Sequence, residues 1–353
     1  MSSMRRVAFL LPLALIAPTA GSAQLIPVGA QSAGSSLAPV NDVGYALNDW
    51  RRLREGGNWS FADHARFLLA YPGWPGESSM RRAAERAMQP GENAATVIAF
   101  FRTKPPASAT GFARLAEAYA AQGRSAEATA AARKAWSASD LSAADEIALY
   151  QRFGASFTTA DHDARVDRLL IDRDSTDAAR LLPSTSAARR PAFAARVAMQ
   201  QRSPDVEALY NAVMGQVTQD AGLMQDRARY LREANWHAAA RQLLARPHRF
   251  THLPIDPGKW YELKRIVAQE AAADRQFTLA YDIARQVDDA LPAGSDLASQ
   301  PLEVRDEYTN LTWLAGTIAF RSLNRPAEAV ALFDKDSEGG RSLQVLTKGA
   351  YWA

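Results

Sequence analysis

The sequence predicts an all-α fold, a superhelical α-solenoid of short helical hairpins with degenerate repeats. The 353-residue chain is rich in alanine and arginine and 47% of its residues are hydrophobic; alanine and arginine are among the better helix formers. Apolar residues recur at spacings of three and four, as at Phe61, Ala65, Leu68 and Leu69, and no stretch alternates with a period of two. An internal echo between two distant segments is the third observation.

The echo relates residues 112–136 to residues 313–336, and adding 201 to the number of each matched position gives its counterpart. The matched positions are Phe112, Tyr119, Gly123 and Arg124 in the first copy and Trp313, Phe320, Asn324 and Arg325 in the second. Each copy predicts a helix, a tight turn and a second helix that opens on Arg-x-Ala-Glu-Ala. The pattern resembles tetratricopeptide-like hairpins. Such a hairpin buries its apolar face only against neighbours, so a stack is expected.

Helical patterning starts near Tyr45 and continues through most of the chain. Pro-Gly turns at 72–76 and 90–91 interrupt it. Ser142 and Thr159 are expected N-caps, and Pro257 suits a first helical turn. The expected helices cover residues 78–88, 94–102, 143–153, 161–173, 176–182, 187–201, 204–216, 222–233, 237–246, 259–274 and 276–290, with hairpins at 111–138 and 313–335.

Residues 1–23 read as an export signal, which predicts a periplasmic protein. Arg5 and Arg6 form a basic start, residues 7–18 are apolar, and residues 19–23 offer small side chains for cleavage before Gln24. The apolar run is too short for a membrane span, which needs about 20 residues. Residues 24–43 are rich in Gly, Ser, Ala and Pro and predict a flexible segment. A helical domain is expected over residues 44–353, continuing beyond the C-terminus in a longer protein.

Charge and cysteine content exclude several classes of function. The net charge of +3 would fall to +1 without residues 1–23, so no strong basic stripe for nucleic acid is expected. The chain has no cysteine, which excludes disulfides and thiolate metal sites. No later segment is apolar enough to predict a transmembrane helix.

Motifs that carry chemistry are absent or isolated. The sequence has no phosphate-binding glycine motif, nucleophile elbow or zincin pattern, so no catalytic, cofactor-binding or metal-ligating residue is assigned. His248 and His252 lie close together but in a loop flanked by prolines. The run Asp161-His162-Asp163 fits the acidic start of a helix.

Two short matches to lysozyme-like enzymes have simpler interpretations. Glu77-Ser78 follows a Pro-Gly turn, where Ser78 is expected to cap a helix. Tyr210-Asn211-Ala212 lacks the glycine that completes the corresponding motif, because Val213 follows. Tryptophans near helix ends are expected mainly in the core, and Trp74 is the first candidate for stacking on a sugar.

Five stretches in the same order resemble the N-terminal region of the soluble lytic murein transglycosylases. They are residues 67–77, which include Tyr-Pro-Gly-Trp-Pro-Gly-Glu, and residues 111–136, 153–170, 226–232 and 313–333. The resemblance implies a superhelix of short helices preceding a lysozyme-like domain. That domain cleaves the β-1,4 bond between N-acetylmuramic acid and N-acetylglucosamine, with one glutamate as acid and base and no cofactor.

The matching stretches do not include the catalytic glutamate, so this chain by itself is expected not to cleave peptidoglycan. Its expected partners are peptidoglycan strands, bound weakly, or other periplasmic cell-wall proteins. Arginine supplies 35 of the 41 cationic side chains, and its planar fork pairs with carboxylates. Arg81, Arg82, Arg227 and Arg229 are candidates to bind glycan strands on one wall. The alternative is a periplasmic adaptor that binds a protein partner without catalysis.

Overall fold

The computed structural model describes residues 43–339 and residue 351, and these residues are all-helical apart from turns and one isolated β-bridge. The all-α prediction is therefore confirmed for the described residues. The expected signal peptide, most of the flexible segment and the C-terminal residues 340–350 and 352–353 lie outside them. The first helix begins at Val43, one residue before the expected start of the helical domain.

Seventeen α-helices follow one another among the described residues. They are α1 Val43–Arg54, α2 Phe61–Ala70, α3 Glu77–Ala87, α4 Ala94–Phe101, α5 Ala109–Ala121, α6 Ser125–Trp136, α7 Ala143–Phe153, α8 Thr159–Ile171, α9 Ser175–Leu181, α10 Arg190–Gln201, α11 Val206–Val213, α12 Ala221–Glu233, α13 His237–Ala245, α14 Pro257–Ala273, α15 Phe277–Ala284, α16 Leu302–Arg321 and α17 Pro326–Gly339. Their buried apolar residues form three hydrophobic clusters.

Six helical hairpins turn on a residue in the left-handed conformation. These residues are Gly123, Arg173, Arg202, Asn235, Arg275 and Asn324, with φ between 54° and 73°. In the first five, the residue after the left-handed one donates its N–H to the carbonyl five residues earlier, at 2.7–2.9 Å. This is the Schellman arrangement, which satisfies carbonyls left free at a helix end. The turns expected at Gly123 and Asn324 are confirmed by their left-handed residues, and four more hairpins turn on a residue in the same conformation.

Small buried residues recur on both sides of four of these turns. Seven residues before the left-handed residue and five residues after it lie the pairs Ala116 and Ala128, Val166 and Ala178, Ala228 and Ala240, and Ala268 and Ala280. Each of these side chains is at most 1% exposed. Since short side chains allow two helix backbones to approach closely, the same packing solution recurs in these four hairpins.

Several expected helix boundaries are wrong. The helix expected over residues 187–201 begins at Arg190, the one expected over 204–216 is Val206–Val213, and the hairpin expected from residue 313 belongs to α16, which begins at Leu302. Gly76, not Ser78, is the N-cap of α3, and Glu77 is its first residue. Thr158, not Thr159, caps α8, because Thr158 and Asp161 form a reciprocal capping box. The helix α15 ends at Ala284 rather than at residue 290, and two side chains of α14 bond to backbone carbonyls of the following residues.

Candidate functional site

The four candidate arginines lie in different environments. Arg81 and Arg227 are at most 9% exposed and are paired with carboxylates. Arg82 is exposed, and its guanidinium lies 3.4 Å from the hydroxyl of Ser79. Arg229 is partly buried and forms no ion pair or hydrogen bond within the described residues. Two of the four are therefore already occupied by the fold itself, and Arg229 differs from all the others.

Arg81 belongs to a structural cluster centred on Glu77. The carboxylate of Glu77 accepts bonds from the backbone N–H of Gly73 at 2.8 Å and from Nε of Arg81 at 2.8 Å, and Nζ of Lys104 lies 2.6 Å away. Bonds from Lys104 and Arg81 lower the pKa of Glu77 to about 2. An ionised carboxylate with three donors ties the Pro-Gly turn to α3 and to the chain after α4. Glu77 therefore lacks the raised pKa that a general acid needs.

Arg227 is held on α12 by a carboxylate and two aromatic rings. Its two terminal nitrogens donate to Glu207 at 2.7 and 2.9 Å. The guanidinium also lies 4.1 Å from the ring centre of Tyr210 and 5.4 Å from that of Tyr230. The bidentate pair uses the fork geometry that was expected to bind a ligand. Tyr210, from the incomplete Tyr-Asn-Ala match, thereby serves packing.

Trp74 is half-buried in an aromatic cluster rather than presented on a free surface. Its ring centre lies 6.2, 5.7 and 6.0 Å from those of Trp50, Phe67 and Tyr71, respectively. The indole N–H of Trp50 donates to the carbonyl of Pro75 at 2.8 Å, which fixes the Pro-Gly turn. The turn motif on which the resemblance to the transglycosylases partly rests therefore packs against a hydrophobic cluster, through Tyr71 and Trp74.

The two loop histidines do not form a common site. The side chain of His248 is fully buried and its Nε2 lies 2.6 Å from Oδ2 of Asp289, while its Nδ1 lies 2.8 Å from the carbonyl of Arg246. His252 is exposed, and its backbone carbonyl accepts a bond from Ala221. Among residues 43–339 and 351, no three histidine, aspartate or glutamate side chains are grouped to hold a metal ion.

Sequence reasoning missed the buried ionic groups. Lys264, fully buried on α14, lies 2.7 Å from Asp289 and also donates to the carbonyl of Gln286; burial lowers the pKa of this lysine. Arg196 is 0% exposed and pairs with Asp226 at 2.7 Å and Asp167 at 2.5 Å. The partners are 25–30 residues apart in the chain, so no local pattern reveals them. Buried charges of this kind require such partners.

Arg229 borders a depression of about 480 Å³ at the end of α8 and along α12 and α14. The residues that line it are Ile171, Asp172, Arg173, Arg229, Arg232, Glu233, Lys259 and Glu262. Burial lowers the pKa of Arg229. Arg229 is a partly buried guanidinium without a direct partner among the described residues, and this makes the depression the candidate binding site.

A second depression, of about 400 Å³, has a more apolar character. Ile147 and Tyr150 of α7 are 59% and 49% exposed there. The ring of Tyr150 stacks on the buried Trp136 with centres 5.7 Å apart. Glu146 lies at the edge and is paired with Arg165 and Arg180, both at 2.6 Å. This carboxylate is already paired, and the exposed contacts offered here by Ile147 and Tyr150 are mainly apolar.

The described residues define an all-α protein with repeated helical hairpins. Comparison with models of protein families, with curated proteins and with solved structures finds no significant match. Among the described residues, no helix combines the length and apolar character needed to cross a bilayer.

Proposed function

We propose that this protein is the superhelical scaffold of a periplasmic lytic transglycosylase and acts in peptidoglycan turnover. The observation that carries the proposal is the recurrent hairpin, with its left-handed turn and its buried small residues twelve positions apart. Repetition of one packing unit is how helical solenoids are built. This adds to the ordered sequence stretches that resemble the transglycosylase N-terminal region.

In this proposal the chain binds and orients the glycan strand, and it leaves bond cleavage to a lysozyme-like domain. Glu77, the glutamate of the Glu-Ser pair, is held ionised by Lys104 and Arg81, so it is not a proton donor at neutral pH. Binding would rest on exposed cationic side chains and the carboxylates of peptidoglycan. Because exposed charges are screened beyond about 8 Å at physiological ionic strength, we expect weak, salt-sensitive binding.

The test is to incubate the purified full chain with isolated peptidoglycan sacculi at low and at physiological salt. Co-sedimentation should occur at low salt and fall steeply as salt rises, and mass spectrometry should find no 1,6-anhydro products. Heat-denatured chain is the control for nonspecific adsorption. Absence of binding at low salt, or binding that salt does not weaken, would overturn the glycan-binding role. Release of anhydro products would show that the chain contains a catalytic site.

The adaptor alternative has one specific observation in its favour. Ile147 and Tyr150 expose apolar surface beside a depression, and exposed apolar patches are typical of protein-binding surfaces. The sacculus experiment separates the two functions, because an adaptor for a protein partner would not co-sediment with protein-free sacculi. Substituting Tyr150 by Ser should leave sacculus binding unchanged if the scaffold proposal is correct.

A further inference from the structure

We infer that the depression at Arg229 binds a carboxylate of the peptidoglycan peptide stem, with Arg229 as the residue that receives it. This inference rests on the proposed function, since it names the part of peptidoglycan that the scaffold recognises. The observation behind it is which of the charged side chains around the depression form ion pairs and which do not.

All lining cations except Arg229 already have a carboxylate. Arg173 lies 3.1 Å from Glu233, Arg232 lies 2.6 Å from Glu270, and Lys259 lies 3.5 Å from Asp172. Two of these carboxylates are also shared with a second arginine outside the lining, Glu233 with Arg202 and Asp172 with Arg168. Lys259 also lies 3.9 Å from Asp256. Among the charged side chains that line the depression, Arg229 and Glu262 are thus the two without an ion pair.

Arg229 is the cation left over, and it is also partly withdrawn from water. It has no hydrogen bond or ion pair within the described residues, although Glu233 and Glu262 line the same depression. A guanidinium offers five N–H donors in a planar fork that suits a carboxylate. A bound carboxylate would therefore supply the bonds that the fold does not.

The lining also indicates what else the ligand carries. Asp172, Glu233 and Glu262 line the depression and would repel a dianion such as phosphate. A single carboxylate carries one negative charge, which the guanidinium of Arg229 can pair with. Glu262 is exposed and has no partner among the described residues, so it can accept a bond from an amide N–H or an ammonium group. A carboxylate close to N–H donors is the chemistry of a peptide end, and about 480 Å³ leaves room for more than the carboxylate alone.

The test measures binding of a muramyl dipeptide with free carboxylates to the full chain by isothermal titration calorimetry. We expect the Arg229→Gln variant to bind at least about tenfold more weakly, because it loses a charge-assisted bidentate contact. Arg241→Gln is the matched control, since Arg241 is buried, is paired with Asp274 and lies outside the depression, and it should bind as the wild type does. Arg229→Gln should unfold in urea no more readily than the wild type, because no partner is lost.

Two further ligands complete the experiment. The same muramyl dipeptide with its carboxylates converted to amides should lose binding to the wild type, and equal binding of this form would overturn the inference. So would unchanged binding of Arg229→Gln, or no binding of the free acid.

An L-tripeptide such as Ala-Ala-Glu should bind more weakly than the muramyl dipeptide. Equal binding of the two would overturn the assignment to peptidoglycan. Sacculus binding without muramyl dipeptide binding would leave the scaffold function intact and remove this site.

Discussion

The guanidinium of Arg196 lies directly against Gly222, so that a Cβ atom at position 222 would stand 2.5 Å from Nη1 of Arg196. Arg196 is fully buried between Asp167 and Asp226. Burial opposes its charge, but the two carboxylates outweigh that cost and raise its pKa. The absence of a side chain at position 222 is what allows α12 to pack over this ionic group.

Gly222→Ala should therefore destabilise the protein by about 3 kcal/mol, from overpacking and disturbance of a buried ion pair. Urea unfolding measures the change. Gly215→Ala is the control, because nothing lies within 4 Å of a Cβ there and its φ is not positive. If both variants unfold at the same urea concentration, the close approach of Arg196 to α12 does not constrain the fold.

Replacing Glu77 by Gln should cost about 2 kcal/mol at neutral pH, because the charge-assisted bonds to Arg81 and Lys104 are weakened. The folded-state pKa of Glu77 is lowered from 4.5 to about 2. Its ionised form therefore contributes stability that is present above about pH 4.5 and is lost as the pH falls toward about 2. The difference in unfolding free energy between wild type and variant should shrink over that interval. A constant difference from pH 7 to pH 2 would contradict this account.

At left-handed turn positions, removing a glycine should lower the stability of the protein and introducing one should raise it. Gly123→Ala, at φ 73°, should lose about 1 kcal/mol, because a Cβ atom is strained in this conformation. Arg275→Gly, at φ 60°, should gain up to about 1 kcal/mol for the same reason, although glycine adds freedom to the unfolded chain. Thermal unfolding checks both values. Arg275→Ala keeps the strain while removing the long side chain, so its stability should stay near that of the wild type.

Loss of Lys264 should leave Asp289 buried with one cation fewer. We expect Lys264→Met to cost about 3 kcal/mol, as for other buried pairs from which one partner is removed, and the double variant Lys264→Met/Asp289→Asn to recover part of that loss. Lys259→Met on the same helix is the control. It should cost less than about 1 kcal/mol, since Lys259 is 36% exposed and lies 3.5 Å from Asp172. Equal effects at both positions would show that burial of Lys264 adds nothing.

The recurrent hairpin shows which turns could be predicted from local sequence patterns and which could not. The pairing of Gly123 with Asn324 predicted two turns, and both have the left-handed conformation. The turns at Arg173, Arg202 and Arg275 share that conformation, yet arginine carries no local preference for it. At Arg173 and Arg275 buried small residues flank the turn on both sides. These repeats depend on contacts between helices, so they were recognisable only after folding.

By itself the sequence determined the helical class, because helix propensity and an apolar spacing of three and four are local properties of the chain. Export, the peptidoglycan link and the absence of a catalytic centre remain predictions from it. Only the tertiary structure decided which arginines are available. Arg81, Arg227 and Arg229 look alike in sequence, but the first two face Glu77 and Glu207 while the third has no partner among the described residues. Whether a charge is paired depends on side chains brought together by folding, and composition does not encode that.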